Sequence, residues 1–338
     1  MAHFGFPLET LIIFFAVVSF SVYLDLVMHR NVRDITVAEA ARWTVFWVVL
    51  ALCFYVYLWL RFNREWADLY LAGYVLEKSL SVDNLMVFIA VFASFGIKSH
   101  LQHRILYWGI LGALVFRAVF VLIGTGLFLA SPWVGFIFAG FVAWSGIQML
   151  KGGSDEETIE DYSRHWSVKL TGRLMPVYTR LHLERFFVRH HELAVDALDD
   201  KAVTRRSALY ATPAFLCLMV IETSDIAFSF DSVPAVISVT QEPLLVYAAM
   251  IFAILGLRSL YFVIAALNRY LVHLEKAVIA LLFFIAAKMA LQSWNHVFGD
   301  TGIHISPGLS LVIILLVLLA GVVASIIFPD KEEQGEVK

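Results

Sequence analysis

An acidic phrase is written twice in this chain, each time inside a hydrophobic stretch: Glu77-Lys78-Ser79-Leu80-Ser81-Val82-Asp83-Asn84 and Asp225-Ile226-Ala227-Phe228-Ser229-Phe230-Asp231-Ser232. Each copy runs acid, five residues, Asp, small polar residue, with Ser81 and Ser229 in register. A carboxylate at the centre of a membrane helix costs about 2.5–3.5 kcal/mol on insertion scales. With Glu222 there are five such acids, on the order of 12–17 kcal/mol if isolated, so they must be paired, protonated or bound to a cation. Glu77, Asp83, Glu222, Asp225 and Asp231 are therefore candidate metal ligands, with Asn84, Ser81, Ser229 and Ser232 as secondary oxygen donors. Hard oxygen ligands suit Mn2+, Mg2+ or Ca2+ better than Cu+ or Zn2+, and no Cys or His lies within a turn of these acids. Clustered acids titrate as a coupled set, so exchange of metal for protons is a natural mechanism.

A divalent ion neutralises only part of this charge. Lys78, Arg117, Arg258 and Lys288 fall in the same hydrophobic stretches and are the expected charge partners. Lys288 could also be a mobile counter-ion that occupies the site when metal leaves. Asp25 lies four residues before His29 and close to Arg30, and is a further secondary candidate, although an interfacial, solvated role is favoured there. No Ser-His arrangement or His-Glu-x-x-His motif accompanies the acids, so an enzyme is not expected and no resident cofactor is implied.

The elements that must position these residues are membrane spans. Sixty per cent of the residues are hydrophobic, 16% are charged, and mean hydropathy is +0.79, outside the soluble range. Nine segments are apolar enough to cross a bilayer: 8–28, 43–62, 68–95, 105–129, 133–151, 207–238, 244–266, 271–292 and 308–328. The start of the chain lacks a basic region and a small-residue cleavage site, so 8–28 reads as a retained span rather than a signal peptide. With the N-terminus outside, only Arg61 and Arg64 of the 25 Lys and Arg face outward; four lie within spans and the rest face inward. The chain is expected to be all-α, N-out and C-in.

The repeat extends past the acids. Leu114-Val115-Phe116-Arg117-Ala118-Val119-Phe120 resembles Leu255-Gly256-Leu257-Arg258-Ser259-Leu260-Tyr261, and Lys151 and Lys288 close the units. Residues 68–151 and 207–292 read as two three-helix units, spans 3–5 and 6–8, with peripheral spans at 8–62 and 308–328. An odd number of spans per unit inverts the second copy, and inverted repeats place their sites near the midplane. Glu77 and Asp231 then lie on the outer side of the centre, Asp83 and Asp225 on the inner side. Positions six apart on an ideal helix differ by about 120°, so either span 3 unwinds near Ser79–Ser81 or two of its faces contribute. Pro234 predicts a break in span 6, freeing the Phe230 carbonyl.

Residues 152–206 form the one sizeable polar segment, read as an inward connector. Trp166, Leu170 and Leu174 recur at helical spacing within it. His165, His182, His190 and His191 are irregularly spaced among charges, and a solvated loop is favoured over a metal site. Cys53 and Cys217 read as small buried hydrophobes.

At Glu77–Asn84, at Glu222-Thr-Ser-Asp-Ile-Ala-Phe-Ser-Phe-Asp-Ser-Val-Pro-Ala, at Phe252-Ala-Ile-Leu-Gly-Leu-Arg-Ser-Leu-Tyr-Phe, and at Phe186-Phe-Val-Arg and Leu209-Tyr-Ala-Thr-Pro, the chain resembles the TerC/Alx family. The resemblance covers nearly the whole chain. It implies an inner-membrane protein of the LysE-like transporter superfamily, with links to manganese efflux, alkaline pH response and, by name, tellurium resistance. The family's acidic positions carry over onto Glu77, Asp83, Glu222, Asp225 and Asp231. One departure is Ala286-Ala287-Lys288-Met289, where the family usually has a glycine shortly before the lysine. The expected function is Mn2+ export across the bilayer, with no nucleic-acid partner. The alternative is an accessory or scaffold protein for metal delivery or stress resistance, docking membrane partners through 152–206.

Overall fold

The computed structural model describes residues 7–28, 36–152, 165–178, 185–189, 209–240, 242–267, 273–299 and 301–327. In chain order the elements are α1 (Leu8–Met28), α2 (Val37–Arg61), α3 (Arg64–Ser94), α4 (Ser99–Ala130), α5 (Pro132–Gly152) and the short α6 (Trp166–Leu174). There follow β1 (Phe187–Arg189), β2 (Leu209–Ala211), α7 (Pro213–Thr240), α8 (Pro243–Ile254), α9 (Leu257–Leu267), α10 (Leu274–Val297) and α11 (Pro307–Ile327). Among the described residues five helices are long and apolar enough to span a membrane: α2, most of α4, α5, α7 and α11. Helices α8 and α9 together make a sixth, bent by 53°. The protein is an all-α polytopic membrane protein.

Local chemistry accounts for several boundaries. The Thr36 hydroxyl accepts from the Glu39 N–H at the start of α2, and the Asn63 side chain accepts from the Trp66 N–H (2.9 Å) at the start of α3. Pro243 opens α8, where a missing N–H costs nothing.

One sequence expectation about a broken helix is corrected. Helix α7 runs without interruption from Pro213 to Thr240 with Pro234 inside it. Val233, Ala235, Val236, Ile237 and Val239 around the proline are all buried, so packing holds the helical path and the cost stays with the one absent N–H. The break falls instead in the next span, at Leu255–Gly256. Gly256 adopts φ +80, and a Cβ there would overlap the Trp47 indole, so only glycine lets α2 come this close. The open alternative for span 3 is also settled. Helix α3 is continuous, and Ser79 and Ser81 donate back to the Val75 and Glu77 carbonyls (both 2.7 Å) rather than marking an unwound turn.

The expectation for 152–206 is met in part. Trp166, Leu170 and Leu174 do lie on one helix, α6, but β1 and β2 were not anticipated. They pair antiparallel, Phe187 opposite Ala211 and Arg189 opposite Leu209. His165 begins α6, its ring nitrogen accepting from the Ser167 N–H; His182, His190 and His191 lie outside the described residues.

Helix α3 packs against α2, α7, α8, α9 and α11, while α4 lies along α7 and α5 along α10. Two apolar clusters fill the interior. Along α3 the first ends at Leu80 and the second begins at Leu85; along α7 the second ends at Ile221 and the first resumes at Val233. Both acidic phrases occupy that changeover.

Candidate cation site

Arg117 stands at the centre of the charged interior. It projects from α4, is buried, and forks onto Asp225 of α7, with Nη2 to Oδ1 at 2.9 Å and Nε to Oδ2 at 3.4 Å. Its other terminal nitrogen, Nη1, pairs with Glu77 Oε1 of α3. One guanidinium therefore ties three helices together through two carboxylates, the geometry for which its planar fork is suited. Glu77 Oε2 is buried without a hydrogen-bond partner among the described residues.

Asp83 and Asp231 are arranged differently. Asp231 accepts from the Ser145 hydroxyl of α5 at 2.6 Å. Asp83 Oδ2 is buried and has no hydrogen-bond partner among the described residues. Asp83 lies within the electrostatic reach of Asp231 and of Glu275, in the first turn of α10. Among the described residues no Lys or Arg makes a direct ion pair with either aspartate, although the Arg117 charge reaches Asp231. Because α3 stays helical, its two acids lie about 120° apart around the axis, so Glu77 meets Arg117 and Asp83 does not.

Glu222 sits beside Asp225, with its carboxylate so close to Gly112 of α4 that a Cβ there would overlap it. Its Oε2 is buried without a hydrogen-bond partner among the described residues. Among those residues no three His, Cys, Asp or Glu side chains are grouped closely enough to hold a metal ion. The five acids are thus not gathered into a single ligand set: helical geometry separates Glu77 from Asp83, and Arg117 draws Glu77 and Asp225 to itself.

The secondary donors and the other bases are also placed. Ser81 and Ser229 make the same local bond in the two copies, each hydroxyl donating to the carbonyl four residues earlier, Glu77 (2.7 Å) and Asp225 (2.8 Å). Asn84 and Ser232 are buried; the Ser232 hydroxyl has no partner among the described residues. Asp25 lies in α1, but its side chain is outside the described set. Lys78 is a correction. Its ammonium does not meet the acids but donates to the Ala253 (3.0 Å) and Leu255 (3.4 Å) carbonyls, the negative end of α8's dipole. Lys288 donates to the Ser310 hydroxyl of α11 at 2.9 Å, and Arg258 is buried in α9.

Sequence reasoning missed Ser145, Gly112 and Glu275. A lone serine in Trp144-Ser145-Gly146, inside an apolar span, was the available signal for the first, since a hydroxyl there needs a partner. Glu275 reads locally as a favourable first-turn acid and nothing more.

The profile of the integral membrane protein TerC family matches residues 61–333, which include every residue of this interior. The chain belongs to the TerC family. It is 49% identical over 340 residues to the tellurium resistance protein TerC of Serratia marcescens, covering 99% of this chain and 98% of that one. A tellurium resistance protein TerC from Alcaligenes sp is also 49% identical, over 337 residues, or 98% and 97% of the two chains. Alx of Escherichia coli (strain K12), provisionally named as a membrane-bound redox modulator, is 34% identical over 295 residues, 84% of this chain and 86% of Alx. No solved structure matches. As a TerC-family chain with several membrane-crossing helices, this is a multi-pass membrane protein.

Proposed function

We propose that this TerC-family protein exports a divalent metal cation, Mn2+ foremost, through Asp83 and Asp231, with protons returning. The observation that carries the proposal is the pair itself. Two aspartates from different helices lack a direct ion-pair partner among the described residues and sit at the changeover between two apolar clusters. Hard oxygens facing an unpaired position favour Mn2+, Mg2+ or Ca2+. Ser145 holds Asp231 in place, and Glu222 is a further carboxylate whose Oε2 has no hydrogen-bond partner among the described residues.

In this reading the chain crosses nine times, N-out and C-in, with α3–α5 and α7–α10 as inverted halves. Three features support it. Helix α4 packs on α7 as α8 packs on α3, the exchange an inverted repeat requires. Ser81 and Ser229 repeat the same bond to their register acids. Arg117 and Arg258 occupy matching helices and are both buried. Purified protein in proteoliposomes with a pH gradient tests the proposal: Mn2+ flux should exceed Mg2+ and Ca2+ flux and vanish in Asp83→Asn and Asp231→Asn. Undiminished Mn2+ flux in both variants would sink the site.

An accessory role in metal delivery or stress resistance is the second reading, favoured by the relatives' names and by the folded α6 and β1–β2 unit. Tellurite is an anion and fits poorly against unpaired carboxylates, so a tellurium link would be indirect. Removing residues 153–208 while keeping flux but losing resistance would favour this role.

A further inference from the structure

Helix α6 is built inside out for a segment in water. It buries Ser167 and Thr171, while Trp166, Leu170 and Leu174 are 59%, 47% and 79% exposed. At about 100° per residue, Trp166, Leu170 and Leu174 form one stripe. On one side of it lies the face carrying Ser167, Thr171 and half-buried Val168; on the other lie exposed Lys169 and Arg173. The order around the helix is therefore protein contact, apolar stripe, basic stripe.

Its location says what the stripe meets. Helix α6 packs on α7, and Val168 touches the cluster formed by Ala214, Cys217 and Leu218 of α7 with Leu101 and Ile105 of α4. The first turns of the membrane-crossing α7 thus lie beside it, and α4, which packs on α7, turns Trp108 outward. The apolar stripe is exposed next to that contact face, and the cations lie on the side away from the protein. An interfacial helix needs this arrangement: apolar side chains in the acyl boundary, an aromatic at headgroup depth and bases on phosphates.

We propose that α6 is an interfacial lipid-binding helix, with Trp166, Leu170 and Leu174 inserted at the acyl boundary and Lys169 and Arg173 on the phosphates of anionic lipid. It anchors the connector between α5 and α7 to the leaflet, independently of what the bundle transports.

Site-directed spin labelling of the full chain tests this. Cys53 and Cys217 are replaced by Ala, and a nitroxide is placed singly at Leu170→Cys, Leu174→Cys or Lys169→Cys, in phosphatidylcholine vesicles with and without phosphatidylglycerol. Labels at 170 and 174 should collide several-fold more with dissolved oxygen than with an aqueous nickel chelate, and the label at 169 the reverse. Depth at 174 should fall when phosphatidylglycerol is omitted, or when Lys169→Gln and Arg173→Gln are combined. Chelate-dominated collisions at all three positions would overturn the proposal, because the stripe would then face water. Protection from both reagents would overturn it too, placing protein over the stripe. Depth indifferent to lipid charge and to the two Gln substitutions would remove the anionic-lipid assignment.

Discussion

The two acids bound by Arg117 and the two aspartates without a Lys or Arg ion pair among the described residues come from the same twice-written phrase, yet the fold treats them oppositely. Glu77 and Asp225 are clamped by a guanidinium that belongs to the chain, so their charge is answered permanently. Asp231 has the Ser145 hydroxyl, and Asp83 Oδ2 has no hydrogen-bond partner among the described residues. A cation covalently part of α4 cannot leave, and one bound only by Asp83 and Asp231 can. The first pair is suited to holding three helices together and the second to exchange.

The comparison breaks most severely at Arg117. Arg117→Met leaves two buried carboxylates unpaired, a loss of about 3–5 kcal/mol, enough to abolish folded protein in detergent as read by thermal melting. Adding Glu77→Gln and Asp225→Asn should restore much of the melting temperature; failure to do so would mean the clamp is not what the arginine provides. Next come Asp83→Asn and Asp231→Asn, which should cost an order of magnitude or more in cation flux while leaving melting unchanged or higher, since each removes uncompensated charge. A matching loss of stability would erase the distinction between the pairs. Gly112→Ala forces the Glu222 carboxylate off α4 and should lower both yield and flux by a smaller amount, relieved by pairing it with Glu222→Ala. Ser145→Ala removes one hydrogen bond to a carboxylate, about 1.5–3 kcal/mol at most, and should weaken cation affinity less than either Asn variant. Glu275→Gln, at an exposed position, should have the smallest effect: a modest, salt-sensitive drop in apparent affinity.

Much of this was readable beforehand because the bilayer simplifies the rules. Long apolar runs must be helical, so the nine expected segments fall on helices, of which, among the described residues, five and the bent α8–α9 pair are long and apolar enough to cross a membrane. Charged residues in those runs must be satisfied, which singled out the five acids together with Lys78, Arg117, Arg258 and Lys288. The errors share a cause. Pro234 looked like the break because proline lacks a donor, but with buried residues on both sides of it α7 stays continuous, while the break falls at Gly256, where a Cβ would overlap Trp47. Lys78 looked like a counter-ion because it falls in the same apolar stretch as the acids, yet neighbours in a helix point about 100° apart, and its ammonium found the carbonyl end of α8. Strands β1 and β2 are three residues each and far apart in sequence, too short for an alternating pattern to register.

By itself the sequence determined that this is a polytopic helical membrane protein with five acids and several bases in its interior, because composition and periodicity act locally. It also determined that the charges had to be answered, because hydrocarbon penalises each one wherever it lies. Only the tertiary structure decided how. Which carboxylate meets Arg117, which meets Ser145, and which is left without either depend on how helices far apart in sequence cross, and no local pattern encodes those crossings.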